Sequence, residues 1–121
     1  MRSRAQGFLA ALVVAAGSLF YVPAQAQNTG TVTLAELPRE ARTTLALIRQ
    51  DGPFPYPRDG IVFGNFEKRL PREPRGFYRE YTVPTPGERT RGARRIISGG
   101  DPPRVFYYTG DHYQSFRQIA E

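Results

Sequence analysis

Leu37-Pro-Arg-Glu-Ala-Arg-Thr-Thr-Leu-Ala-Leu-Ile-Arg-Gln50, followed at once by Asp51-Gly52-Pro53, is the one stretch of this chain with a convincing helical period. Ala41, Leu45 and Ile48 fall at i, i+4 and i+7, so they share one face of a helix. Pro38 suits the first helical turn, Glu40 sits near the positive N-terminal end, and the Asp-Gly-Pro triplet stops the element. The spacing therefore predicts one helix over 37–50. Downstream, nothing keeps that period. Short β-type segments at 61–63, 77–83, 94–98, 105–108 and 115–119 are cut by Gly- and Pro-bearing separators. Upstream, 27–36 reads as a polar extended lead-in, with Thr31-Val32-Thr33 a short strand. The expected architecture is α+β: one N-terminal helix packed on an antiparallel meander of about five strands.

Of the 121 residues, the first 26 read as a cleaved export leader. Met1-Arg-Ser-Arg4 is a basic start, Phe8 to Phe20 is apolar, and Ala24-Gln25-Ala26 is a small–x–small cleavage pattern. The apolar run falls short of the ~20 residues needed to cross a bilayer, so no membrane association is expected after cleavage. The mature chain, 27–121, is then one secreted domain starting at Gln27, and a monomer is the plain expectation. Loss of Arg2 and Arg4 with the leader leaves 15 of the 17 Lys+Arg against 11 Asp+Glu, a balance of +4. All of those cations but Lys68 are arginine, whose planar fork matches phosphate oxygens, so a polyanionic partner is plausible. A GC-rich genome also writes Arg for Lys, and charge alone goes no further.

The chain has no cysteine and one histidine. That excludes a thiol nucleophile and a cysteine metal site, and it argues against a histidine-rich zinc site. A small exported domain without disulfides must be held by its core. Neither metal nor cofactor is expected.

Chemistry concentrates in the last third. In Phe77-Tyr-Arg-Glu-Tyr-Thr-Val83, strand alternation puts Tyr78, Glu80 and Thr82 on one face and Arg79 and Tyr81 on the other. A carboxylate in mid-strand between two tyrosines is unfavourable unless it is paired or used. Of the adjacent Arg94 and Arg95, only one can face Glu80, leaving the other to solvent. His112 lies in Thr109-Gly-Asp-His-Tyr113, a turn into the last strand, and it alone could serve as an acid near neutral pH. Asp111 either forms that turn or orients the imidazole. Together Glu80, Arg91, Arg95 and His112 are the parts needed to cleave a phosphodiester by acid–base catalysis without a metal.

Five motifs, in order, carry a resemblance: Asp51-Gly-Pro-Phe-Pro-Tyr56, Val62-Phe-Gly-Asn-Phe-Glu67, Glu80-Tyr-Thr-Val83, Pro86-Gly-Glu-Arg-Thr-Arg-Gly-Ala-Arg-Arg-Ile96 and Tyr107-Tyr-Thr-Gly-Asp-His-Tyr113. From about Thr31 to Ile119 the chain resembles the secreted bacterial branch of the microbial guanyl-specific, barnase-like ribonucleases. The resemblance implies an endoribonuclease acting on single-stranded RNA. Glu80 would be the general base on the ribose 2′-OH and His112 the general acid on the departing 5′-oxygen. A 2′,3′-cyclic phosphate would form first and open to a 3′-phosphate. Arg91 and Arg95 would clamp the phosphate, with Tyr113 against it. Phe63, Gly64, Asn65, Phe66 and Glu67 would form the guanine loop, Glu67 accepting two hydrogen bonds from the guanine edge. Family analogy also implies a small acidic, barstar-like protein inhibitor.

The chain departs from the family pattern at three places. Phe66 stands where the family usually has arginine, Gly64 replaces a larger polar residue, and Thr33 with a cysteine-free C-terminus excludes the disulfide that ties the ends of close relatives. A freer guanine loop is expected from Gly64. Two other readings share these residues: a non-catalytic RNA or polyanion-binding module, and the same chemistry used as an antibacterial toxin.

Overall fold

The computed structural model describes residues 30–121; the leader reading falls on 1–26 and lies outside them. The elements are β1 (Thr31–Thr33), a 3-10 turn (Leu34–Glu36), α1 (Arg39–Arg49), β2 (Ile61–Val62), β3 (Tyr78–Thr82), β4 (Arg95–Gly99), β5 (Val105–Thr109) and β6 (Arg117–Ala120). They form a six-stranded sheet in the order β1-β6-β5-β4-β3-β2. Strands β2 to β6 are the expected antiparallel meander. The sixth strand is β1, which joins β6 in parallel, pairing Thr31 with Gln118 and Thr33 with Ala120.

The helix begins two residues later than its period suggests, because Pro38 is its N-cap and not part of its first turn. The carbonyl of Pro38 accepts from both Ala41 N and Arg42 N, so the proline opens the helix without having to donate. At the other end Gly52 N donates to Leu47 O at 2.9 Å, with Asp51 at φ 62° and Gly52 at φ 92°. Glycine is suited to that left-handed turn, which satisfies an otherwise orphaned helix carbonyl.

Alternation sorts the sheet into two faces. Ala41, Leu45 and Ile48 of α1 pack with Val32, Tyr81, Val83, Ile96, Phe106, Tyr108 and Ile119 in one core. The opposite face has a smaller cluster of Leu70, Tyr78, Ile97, Tyr107 and Phe116, with Phe63 and Tyr113 packed against it. The helix covers one face, while the other, with its own buried cluster, holds Glu80. No disulfide ties the ends. Their place is taken by the β1–β6 pairing, by an Arg49–Glu121 ion pair, and by Thr33, which caps the 3-10 turn reciprocally with Glu36.

Candidate active site

Register decides which side chains meet. In the β3–β4 pair Thr82 faces Arg95 and Glu80 faces Ile97, so Arg95 shares the face of Glu80. Arg94 turns to the other side, but not to solvent as alternation alone suggests: its Nη1 lies 3.4 Å from Glu40 Oε1 on α1, each side chain 27% exposed. The helix covering that face supplies a partner that strand alternation could not reveal.

Glu80 is 6% exposed, and four groups surround its carboxylate. Tyr113 Oη donates to Oε1 at 2.8 Å and Arg91 Nη2 donates to the same oxygen at 3.1 Å. Arg95 Nε stands 3.9 Å from Oε1, and Arg58 Nη2 is 3.8 Å from Oε2. A buried carboxylate is tolerable only with such compensation. The tyrosine is a dependable donor: burial first, and then its bond to Glu80, push the Tyr113 hydroxyl above its ordinary range, so it stays protonated. The arginines are themselves aimed. Arg95 gives Nη1 to the carbonyls of Gly92 and Arg94 and Nε to Tyr113 Oη, and Arg91 Nε bonds Thr82 Oγ1 at 2.9 Å. Fixed cations around a carboxylate stabilise negative charge without rearranging when it develops nearby.

His112 is exposed at the rim of a cleft of about 490 Å³, whose walls also include Glu80, Tyr113, Arg58 and Glu67. His112 and Tyr113 are both in the left-handed region, at φ 57° and 73°. Non-glycine residues there are strained, so the surrounding structure must hold them. His112 N donates to Ala93 O at 3.0 Å, and Tyr113 N donates to Thr109 Oγ1 at 3.1 Å. Asp111 settles its two readings in favour of the turn. Its carboxylate accepts from Thr109 Oγ1, Gln114 N, Ser115 N and Ser115 Oγ. Desolvation opposes its charge, but those bonds, Ser115's foremost, outweigh it and hold the carboxyl below its ordinary range.

A pH dependence follows. Because the folded pKa is depressed, the stabilisation is complete above the unfolded value of ~3.9 and is lost as pH falls through the folded one. Asp111→Ala is expected to cost about 1 kcal/mol at pH 7, its exposure having discounted the charged bonds. Urea titrations of parent and variant should converge at pH values below the depressed carboxyl pKa. A gap that persists unchanged there would assign the loss to something other than this carboxylate.

The loop 63–67 is braced by Asn65, at φ 52°. Its amide nitrogen donates to Leu70 O at 3.0 Å and its oxygen accepts from Leu70 N at 3.1 Å. Asparagine is among the few residues suited to that backbone, and here its side chain also closes the loop. Phe63 stacks on Tyr113 with centroids 5.3 Å apart, joining the loop to the Glu80 side of the cleft. Glu67 is held by Arg69 at 3.1 Å. At Gly64 a Cβ would lie 2.5 Å from the Phe66 ring, which occupies that space.

All the predicted residues thus gather around one cleft: Glu80, His112, Tyr113 and the 63–67 loop line it, and Arg91 and Arg95 reach it through Glu80. Arg58 was missed. It sits in the loop before β2 and meets Glu80 only because Ile61 pairs with Glu80 across the sheet. Asp59 secures that loop by accepting from Thr82 N at 2.8 Å.

A sequence profile of the ribonuclease family matches residues 22–120. Guanyl-specific ribonuclease Sa of Kitasatospora aureofaciens is 58% identical over 93 residues, covering 77% of this chain and 96% of that protein. Guanyl-specific ribonuclease St of Saccharopolyspora erythraea is 52% identical over 86 residues, covering 71% and 83%. Among solved structures, ribonuclease Sa2 in complexes with mononucleotides superposes with a TM-score of 0.73 at 47% identity, covering 76% of this chain and 94% of that one.

Proposed function

The chain belongs to the microbial guanyl-specific ribonuclease family, and from that premise we propose how its own residues cleave RNA and which bond they choose. The substrate is single-stranded RNA cut on the 3′ side of guanosine. Glu80 takes the ribose 2′-OH proton, and the freed oxygen attacks the adjacent phosphorus. His112 gives its proton to the departing 5′-oxygen. The 2′,3′-cyclic phosphate is then opened by water, with the two groups exchanging roles, to a 3′-phosphate. The charge that builds on the phosphoryl oxygens is met by Arg91, Arg95 and Arg58, and Tyr113 lies against the same group.

The observation that carries this reading is a buried carboxylate, ringed by three guanidiniums and a protonated tyrosine, in the wall of a cleft that has a histidine at its rim. The guanidiniums supply the charge stabilisation that a metal supplies elsewhere, so activity in EDTA is part of the proposal. Guanine choice rests on Glu67, whose carboxylate can accept from N1–H and N2–H₂ once Arg69 releases it. Asn65 holds the loop backbone that would face the base. The export leader read in residues 1–26 would send the enzyme outside the cell, and we take it to act as a monomer. A small acidic protein inhibitor that plugs the arginine-rich cleft would protect the producing cell, charge complementarity making the encounter fast.

The test is turnover of four dinucleoside phosphates, GpU, ApU, CpU and UpU, together with 2′-deoxyguanosyl-uridine. The expectation is a preference for GpU of roughly 10²-fold or more and an inert deoxy analogue, since only guanine offers Glu67 paired N1–H and N2–H₂ donors in exchange for Arg69. Equal turnover of all four ribonucleotides removes the role of Glu67. Cleavage of the deoxy substrate removes the 2′-OH mechanism.

A further inference from the structure

The loop that carries Phe66 separates two hollows. On one side is the cleft with Glu80 and His112; on the other is a smaller pocket of about 180 Å³, whose walls include Phe66 again, with Phe63, Lys68, Arg72 and Arg75. Glu73 is the one carboxylate on those walls, so their balance is cationic. Neither Glu80, His112 nor Glu67 lines this pocket. Phe66 is 80% exposed, far more than any other large apolar side chain among the described residues. Its ring lies over Gly64, where a Cβ would approach it to 2.5 Å, so the two departures from the family pattern sit against each other. An exposed ring flanked by cations is how single-strand binders hold a base and its phosphate together.

The reaction sets a direction. The leaving nucleotide departs past His112, so a nucleotide preceding the guanosine needs room elsewhere, and the smaller pocket shares the guanine loop without sharing His112. We propose that the pocket behind Phe66 is a subsite for the nucleotide on the 5′ side of the guanosine, its base stacked on Phe66 and its phosphate drawn by Lys68 and Arg72. The inference rests on the ribonuclease reading and deepens it by extending recognition from one base to two nucleotides.

The experiment compares kcat/KM for GpU, which has nothing 5′ of the guanosine, with that for UpGpU. The 5′ nucleotide is expected to raise kcat/KM about tenfold, at the lower end of what base–aromatic stacking delivers. Phe66→Ala should remove most of that gain. The double variant Lys68→Gln/Arg72→Gln replaces two exposed cations by shorter neutral side chains and should leave GpU turnover at the parent level. It should lower the gain and flatten its salt dependence by roughly 0.7 log units per tenfold salt for one lost phosphate contact. If GpU and UpGpU are cleaved equally well by the parent, or if the gain survives both variants, the subsite is wrong and the ribonuclease reading stands. If neither substrate is cleaved, the ribonuclease reading falls and takes the subsite with it.

Discussion

His112→Gln is expected to lower RNA cleavage about 10³-fold while leaving the fold and the binding of guanosine 3′-phosphate nearly unchanged, as removal of a general acid does. The 5′-oxygen leaves as an alkoxide unless it is protonated, and His112 is the imidazole that lines this cleft. Glutamine keeps the polarity and approximate size of the imidazole but carries no transferable proton. The position is exposed, and its backbone is held by Ala93 O and the Asp111 turn, both of which survive the change. Stability should therefore move by less than about 0.5 kcal/mol, as for other surface substitutions. Turnover by the variant equal to the parent's would remove His112 from the mechanism. Loss of nucleotide binding in step with turnover would make it a binding residue and not an acid.

Glu80→Gln should also lose about 10³-fold in turnover, since an amide cannot accept the 2′-OH proton. Its second effect separates it from His112. Glu80 is 6% exposed and Arg95 3%, and the carboxylate is the counter-charge for that buried guanidinium and for Arg91 beside it. Removing one member of a buried ionic cluster leaves the other uncompensated. Arg95 keeps two backbone carbonyls and the amide oxygen can still accept from Tyr113, which softens the loss. A cost of about 2 kcal/mol remains, lowering the melting temperature by roughly 10 °C for a domain of this size. Thermal unfolding of the two variants side by side checks the contrast. An active Glu80→Gln protein would overturn its role as base; an inactive but equally stable one would leave the base and refute the electrostatic account.

The meander and the helix could be read from periodicity because each is a local pattern, and the same alternation put Glu80 and one of the two adjacent arginines on one face. What escaped was non-local. Thr31–Thr33 pairs in parallel with Arg117–Ala120, and no local pattern marks a three-residue strand as belonging beside the far end of the chain. Arg58 escaped for the same reason, since only the pairing of Ile61 with Glu80 brings its loop to the carboxylate. Arg94 was assigned to solvent because strand alternation contains no information about the helix that covers that face. Backbone freedom at Gly64 is a local reading, and it says nothing of the Phe66 ring that lies against the same position. Roles for Glu67 and Asn65 came from family resemblance. On composition alone each would have passed as a surface acid and a turn residue.

The most direct test of the central claim is digestion of a short RNA of defined sequence by the protein from residue 27 onward in EDTA, with the fragment ends identified by mass. The account predicts cuts after G, a 2′,3′-cyclic phosphate early and a 3′-phosphate late. An RNA left intact in EDTA but cleaved when divalent metal is restored would contradict it, as would fragments bearing 5′-phosphates.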